Sequence, residues 1–181
     1  MARNEYDAES RPGSYERRPD AGRDGSRDAL VQRIALVVGA TFLLVGILGF
    51  IPGITQDFDQ IEFAGHESGA ELLGLFKVSV LHNIVHLLFG VLGVALARRA
   101  DTARVFLIGG GIVYLVLFAY GLAIDHDSDA NFVPVNDADN WLHLGLGMGM
   151  ILLGLITLPR RRAVDKPGMR TRPTRSRSDS P

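Results

Sequence analysis

Long apolar stretches alternate with short polar ones through the middle of this chain. Four of them, residues 30–51, 69–97, 105–124 and 140–158, are long enough for a helix to cross a bilayer, which takes roughly 20 residues. They are too continuous to be amphipathic surface helices of a soluble domain. The pattern predicts an all-α, polytopic membrane protein with four transmembrane helices, in one compact unit over residues 28–159.

The two ends of the chain are polar and differ in charge. Residues 1–27 mix arginine with acids and contain almost no large aliphatic side chains, so they predict a disordered cytoplasmic arm. Asp28 is a candidate N-cap for the first helix. Residues 160–181 open with three arginines and continue with Arg, Ser, Thr and Pro, which predicts a basic, disordered cytoplasmic tail. This tail suits anionic lipid headgroups.

The second helix has a candidate start signal in Ser68, which is followed three residues later by Glu71 in the capping-box pattern. A helix from Gly69 to Ala97 would be about 43 Å long at 1.5 Å per residue. That length exceeds the roughly 30 Å hydrocarbon core, so we expect this helix to tilt or to project beyond the membrane. Lys77 would mark the headgroups, which leaves about Val78–Ala97 in hydrocarbon.

Arginines are confined to one side of the predicted helices. Arg98, Arg99 and Arg104 lie in the short connection between the second and third spans, and the tail follows the fourth. The connections 52–69 and 125–139 contain acids but no Lys or Arg. The positive-inside rule therefore predicts a multi-pass protein of the cell (cytoplasmic) membrane with both termini in the cytoplasm.

The second span carries a stripe of polar and small residues. At 100° per residue one helix face holds Ser79, His82, Asn83, His86, Gly90 and Gly93. Such groups within an apolar helix usually face other helices rather than lipid. His143 is the only histidine of the fourth span. We therefore expect His82, His86 and His143 to share a bundle interior, with the second and fourth helices adjacent.

Three interpretations of these histidines remain open. His82, His86 and His143 are candidate ligands for a divalent metal, and a pair from two helices is a candidate for haem b. Alternatively, the imidazoles are neutral and lock helix packing through hydrogen bonds to backbone carbonyls, Asn83 or Ser79. The third interpretation is a proton or ion path. The chain has no cysteine, which excludes disulfides, thiolate metal sites and iron–sulfur clusters.

Other glycines and acids have simpler explanations. Gly145 and Gly149 form a small-xxx-small pair that predicts close helix packing, within the chain or in a homo-oligomer. Asp125 begins a run of acids that resembles a calcium loop. Ala130 stands where such a loop needs glycine and Asn136 where it needs a bidentate glutamate, so an acidic solvated loop is favoured.

Several blocks of the chain, taken in order, carry a family resemblance. They are Phe50–Gly53, Gly65–Ala70, Leu81–Gly90, Asn131–Asn136 and Asp139–Gly145. They resemble the bacterial membrane proteins grouped as domain of unknown function 4383. The resemblance covers about residues 30–158 and neither terminal segment. It implies four membrane helices in a bacterial cytoplasmic membrane, and it implies no activity.

No catalytic pattern stands out. There is no HExxH, and the glycine triplet 109–111 lies within an apolar span rather than after a strand, so it is not a phosphate-binding loop. We therefore expect a non-enzymatic structural or interaction module. The alternatives are a metal- or haem-binding redox protein that uses the histidine face, and an oligomeric transporter or channel subunit. The expected partners are the bilayer, anionic headgroups at the tail and another membrane protein or a second copy, with no nucleic acid.

Overall fold

Four helices and three very short strands make up the part of the chain that the computed structural model describes, residues 20–159. The helices are α1 (Asp20–Leu48), α2 (Val80–Leu96), α3 (Ala100–Ala123) and α4 (Asp137–Ile156), and the strands are β1 (Thr55–Gln56), β2 (Glu71–Leu72) and β3 (Phe76–Lys77). The predicted tail 160–181 and residues 1–19 of the predicted arm lie outside this part. The fold is therefore mostly helical, although not all-α as the sequence predicted.

The helices associate as two antiparallel pairs, α1 with α2 and α3 with α4. In the first pair, a Cβ atom built on Gly90 would lie 2.6 Å from the backbone nitrogen of Leu43, so the two backbones are nearly in contact. In the second pair, a Cβ on Gly111 would lie 2.7 Å from the carbonyl oxygen of Gly147. Small residues thus set the spacing in both pairs, as is usual between helices in a bilayer.

Two of the four predicted packing glycines take no part in these contacts. Gly90 and Gly93 pack against α1, whereas Gly145 and Gly149 of α4 have open space where a Cβ would stand. The prediction of close packing within the chain is therefore wrong for Gly145 and Gly149. The α4 glycine that faces α3 is Gly147, which lies between them on a different side of the helix.

Three of the described helices are long and apolar enough to cross a membrane, by length and composition: Gly25–Leu48 within α1, Ala100–Ala123 and Asp137–Ile156. Helix α2 is apolar but has only 17 residues. At 1.5 Å per residue it is about 25 Å long. Large apolar side chains on all four helices remain exposed in the isolated chain. These features suggest a multi-pass membrane protein.

A small cap, residues 52–79, covers the end of the helices where α1 stops and α2 starts. Its strands form an antiparallel sheet in the order β1-β2-β3, with Leu72 paired to Thr55 on one side and to Phe76 on the other. The buried side chains of Leu72 and Val78 pack beneath it. The cap also contacts the connection between α3 and α4, since the Asn136 amide donates to the carbonyl of Leu75.

The predicted start of the second helix at Gly69 is wrong. Residues 71–77 instead form the hairpin of β2 and β3, with Leu73 and Gly74 in the left-handed region at φ 56° and 65°. The Ser68 hydroxyl donates to the carbonyl of Val78 and caps no helix. The observed N-cap is Ser79, whose hydroxyl accepts from the backbone N–H of His82. Helix α2 therefore matches only the portion predicted to lie in hydrocarbon.

The other three helices also differ from prediction at their ends. Helix α1 begins by Asp20, so residues 20–27 of the predicted disordered arm are helical and Asp28 is not an N-cap. Helix α3 begins at Ala100 rather than residue 105, and α4 begins at Asp137 rather than residue 140. Each start lies among polar residues, whereas the predicted bounds followed mainly the apolar runs.

A buried arginine, Arg104, joins three helices at the end opposite the cap, which we call the arginine end. Arg104 of α3 is buried, and its guanidinium contacts the carboxylates of Asp28 and Asp101. Its Nε also donates to the carbonyl oxygen of Thr157, at 3.1 Å. A buried charge is tolerated only when it is paired and hydrogen-bonded, and Arg104 meets both conditions. This contact ties the start of α1 and the end of α4 to α3.

Replacement of Gly90 by alanine should destabilise the protein by about 1–3 kcal/mol, because the added methyl group has backbone atoms on its path and α1 must move away. The matched control is Gly149→Ala, where nothing lies within 4 Å and the higher helix propensity of alanine should add up to about 1 kcal/mol. Reversible unfolding in mixed micelles measures both. Equal stability of the two variants would contradict the close packing of α1 on α2.

Candidate functional site

A cavity of about 120 Å³ lies between the cap and the helices. Its polar lining consists of His82 and His86 from α2, Tyr114 from α3, and Asp139 and His143 from α4. Its apolar lining comes from α1, the cap and α4, and comprises Val45, Leu48, Leu72, Leu73, Phe76, Val78, Leu142 and Leu146. The cavity is the place where all three predicted histidines meet.

His82 and His86 interact directly across one turn of α2. Their Nε2 atoms are 3.2 Å apart, and their rings meet edge to face with centroids 4.5 Å apart. If both rings are neutral, one donates through Nε2–H and therefore has a bare Nδ1, while the other accepts and carries its proton on Nδ1. The pair thus offers one hydrogen-bond acceptor and one donor to anything that reaches the two Nδ1 atoms.

A row of aromatic rings connects the histidines of α2 to that of α4. Phe42 of α1 meets His86 edge to face at 5.6 Å and stacks on Tyr114 at 5.4 Å between centroids. Tyr114 in turn lies 5.4 Å from the ring of His143. These contacts hold both histidine-bearing helices at the cavity, although α2 and α4 barely touch each other. The predicted adjacency of the second and fourth helices is therefore wrong, since they face each other across the cavity.

The histidines leave polar atoms without partners. Among the side chains of residues 25–159, five buried atoms have no hydrogen-bond partner: Nδ1 of His82, His86 and His143, and Oδ1 of Asn83 and Asn140. The Tyr114 hydroxyl also makes no hydrogen bond to any described residue. An unpartnered buried polar atom costs roughly 1–3 kcal/mol, so such a group in a native protein requires an explanation. Three of the five belong to imidazoles on one cavity.

The other two members of the predicted polar face have structural roles. The Asn83 side chain is fully buried and its Nδ2 donates to the carbonyl oxygen of Gly49, at 2.8 Å, which fastens α2 to the end of α1. The Ser79 hydroxyl caps α2. The packing interpretation therefore fits Asn83 and Ser79. It fits the histidines less well, because Nδ1 of His82, His86 and His143 has no hydrogen-bond partner, although the backbone carbonyl of Pro134 lies near the His82 ring.

Two residues that line the cavity, Asp139 and Tyr114, were not predicted from the sequence as site residues. Asp139 forms a capping box with Asn136, in which each side chain accepts from the backbone N–H of the other, and it also accepts from the backbone N–H of Lys77. An Asn followed three residues later by Asp, ahead of an apolar run, was the available signal. Tyr114 is a polar-tipped aromatic in the middle of an apolar span, which by itself also fits ordinary packing.

The residues present do not form a complete metal site. Among the side chains that the structure describes, those of residues 25–159, no three His, Asp or Glu side chains converge closely enough to hold an ion. His82, His86 and His143 line the same cavity without forming a ligand set in this arrangement. The cavity is also far smaller than the roughly 300–1,000 Å³ typical of pockets for drug-sized ligands, so a haem does not fit between these histidines as they stand.

Substitutions at Asn83 and His143 should have unequal effects on stability. Asn83→Ala removes a buried bond and leaves the Gly49 carbonyl unsatisfied, so we expect a loss of about 1–3 kcal/mol. His143→Phe breaks no hydrogen bond, removes an unpartnered atom and has the cavity beside it, so its stability should stay within about 1 kcal/mol of the parent. Unfolding in mixed micelles compares the two. A larger loss for His143→Phe would indicate that the histidine has a structural role.

Comparison with known proteins gives one result. A model of the family described as domain of unknown function (DUF4383) matches residues 32–156, which include all residues that line the cavity and most of each helix. No significant match was found among curated proteins or solved structures. Because the match covers more than half of the chain, the protein belongs to the family described as domain of unknown function (DUF4383).

Proposed function

We propose that this protein is a non-enzymatic binding module of the bacterial cytoplasmic membrane, and that it holds a small ligand in the histidine-lined cavity. The observation that carries the proposal is the set of three imidazoles, from two helices, whose buried Nδ1 atoms have no partner. A ligand with hydrogen-bonding groups would satisfy them. Asn83 and Ser79 already hold α2 in place, so the histidines are not needed for that purpose.

The cavity limits the size and character of this ligand. Its volume of about 120 Å³ has room for more than one water but lies below the roughly 300–1,000 Å³ typical of pockets for drug-sized molecules. The ligand is therefore a small molecule, or the terminal group of a larger one. The apolar walls favour an uncharged group, and the shared proton of His82 and His86 supplies one donor and one acceptor.

We also propose that all four helices span the membrane and that both termini lie in the cytoplasm. Helix α2 lies at the low end of the 17–25 residues that cross a bilayer, and it packs along α1, which is long enough to span. Its outer face is apolar and exposed at Val85, Leu88 and Val91. The arginine end carries Arg98 and Arg99, so the positive-inside rule puts this end in the cytoplasm and the cap outside.

A mononuclear metal site is the second candidate. The 3.2 Å between the Nε2 atoms of His82 and His86 is close to the separation of about 3.3 Å that two nitrogens have when each lies 2.0–2.1 Å from one tetrahedral zinc ion. His143 lines the same cavity and would supply a third nitrogen only after a change of its side-chain rotamer. This candidate would make the protein a metal-binding membrane protein, and the zinc geometry used here implies no redox chemistry.

Single cysteines should report the orientation, since the chain has none of its own. We expect Asp129→Cys in the α3–α4 connection to react with an impermeant maleimide on intact cells, and Asp101→Cys at the arginine end to react only after permeabilisation. Both residues are exposed, so burial does not limit labelling, as it would at the fully buried Ala103. The reverse pattern would contradict the proposed orientation.

The ligand itself should be found by extraction without detergent. The protein in polymer-bounded native lipid discs is compared with His86→Phe/His143→Phe, by mass spectrometry of extracted small molecules, elemental analysis and absorption spectroscopy. We expect a species that is stoichiometric with the parent protein and at least tenfold depleted in the double variant. An organic species supports the main proposal and a metal supports the second.

The matched control is Trp141→Phe on α4, because Trp141 is exposed and does not line the cavity. This variant should retain the species at the parent level. If the parent and the double variant have the same inventory of small molecules and metals, the histidines do not form a ligand site, and both candidates are overturned.

A further inference from the structure

A second cavity lies at the arginine end, between α1 and the end of α2. It measures about 280 Å³ and is lined by Gln32, Arg33, Leu36, Val94, Ala97 and Arg98. It shares no residue with the histidine-lined cavity. We call it the α1–α2 groove, and it combines two cationic side chains with an apolar surface.

The charges of this groove are not neutralised within the described part of the chain. Arg104 nearby on the chain is buried and contacts both Asp28 and Asp101. Arg33 and Arg98 are exposed and form no ion pair with the side chains of residues 25–159. Arg104 contacts both nearby acids, Asp28 and Asp101, and the lining of the groove itself contains two cations and no acid, so the lining has a net positive charge.

Two backbone carbonyls at the end of α2, which would otherwise repel an anion in the groove, are occupied by hydrogen bonds. The C-terminal carbonyls of a helix carry partial negative charge and would repel a phosphate. Here the Gln32 amide donates to the carbonyl oxygen of Arg98, at 2.7 Å, and the Thr102 hydroxyl donates to that of Leu96, at 2.6 Å. These two bonds occupy carbonyls at the end of α2, and the first also fixes Arg98 against α1.

The apolar part of the groove continues towards the middle of the helices. Leu36 lies roughly one turn from Arg33 towards the membrane interior, and Val94 lies one turn from Arg98 in the same direction, because α1 and α2 are antiparallel. Leu36 is 47% exposed in the isolated chain. The groove therefore has guanidinium groups near the end of the helices and apolar side chains about one helical turn closer to their middle.

We propose that the α1–α2 groove is a binding site for one anionic phospholipid, whose phosphate contacts Arg33 and Arg98 and whose acyl chain lies along Leu36 and Val94. Guanidinium groups form bidentate hydrogen bonds to phosphate oxygens. The unneutralised charge of the groove favours phosphatidylglycerol over phosphatidylcholine, since the choline group cancels the phosphate charge. The site is separate from the predicted contact of the basic tail with headgroups.

The test uses the purified full-length protein with equimolar phosphatidylglycerol and phosphatidylcholine, and native mass spectrometry counts the lipids bound. An arginine near an anionic headgroup changes the binding constant by roughly fivefold, so Arg33→Gln/Arg98→Gln should weaken phosphatidylglycerol binding by on the order of 25-fold. Phosphatidylcholine binding should not change. Melting temperatures check that the variant is folded, which we expect because both side chains are exposed.

The charge-matched control is Arg27→Gln/Arg99→Gln, which also removes two arginines at the same end of the helices but none that line the groove. It should bind phosphatidylglycerol at least five times more tightly than the groove variant. Equal loss in both variants would mean that the lipid responds to overall charge, which overturns the site. Displacement of the lipid by millimolar inorganic phosphate would also overturn it, since the groove would then be a general anion site.

Discussion

Hydrocarbon offers no hydrogen bonds, so every polar group inside a membrane helix must find its partner in the protein or in something the protein binds. This constraint separates the residues of the polar face into two groups. Asn83 and Ser79 have partners, in the Gly49 carbonyl and the N–H of His82, and these bonds hold α2 against α1 and set its start. Nδ1 of His82, His86 and His143 has no hydrogen-bond partner, and all three residues line one cavity, whereas the unpartnered oxygen of Asn83 does not. The candidate site is therefore identified by several unpartnered atoms that share one cavity.

The rest of the architecture keeps this cavity in place. Close glycine contacts hold each helix pair together, and the paired Arg104 joins three helices at the far end. At the cap end the two pairs do not close fully on each other. Helices α2 and α4 remain apart there, and the aromatic rings of Phe42 and Tyr114 lie between their histidines. The cap covers this gap. A cavity between the two helix pairs, in which a ligand satisfies the imidazoles, explains their unpaired nitrogens better than a packing defect does.

Much of this arrangement follows from the sequence, for reasons that differ between residues. The helical spacing of His82 and His86 fixes their common direction, and a lone histidine on the fourth span has few other polar groups to meet, so their presence on one cavity was predictable. The hairpin of β2 and β3 was not predictable. Leu73 and Gly74 adopt the left-handed backbone conformation within an apolar run whose pattern also predicts a helix. The choice of Gly147 over Gly145 and Gly149 for packing depends on helix rotation, which a motif of small residues does not specify. The sequence predicts Arg104 to lie in a loop, because its partner Asp28 is far away along the sequence and no local pattern indicates their ion pair.

The central claim is that His82, His86 and His143 share one cavity with their Nδ1 atoms free of bonds to the protein. Nitrogen-15 solid-state NMR of histidine-labelled protein in lipid bilayers tests it directly, since the chain has only five histidines. The account predicts magnetisation transfer between the ring nitrogens of His82 and His86, and Nδ1 resonances of all three that respond to removal or replacement of the ligand. It also predicts that His143→Phe alters the spectra of the other two. Isolated histidine resonances that show no transfer and no response to His143→Phe would contradict the claim.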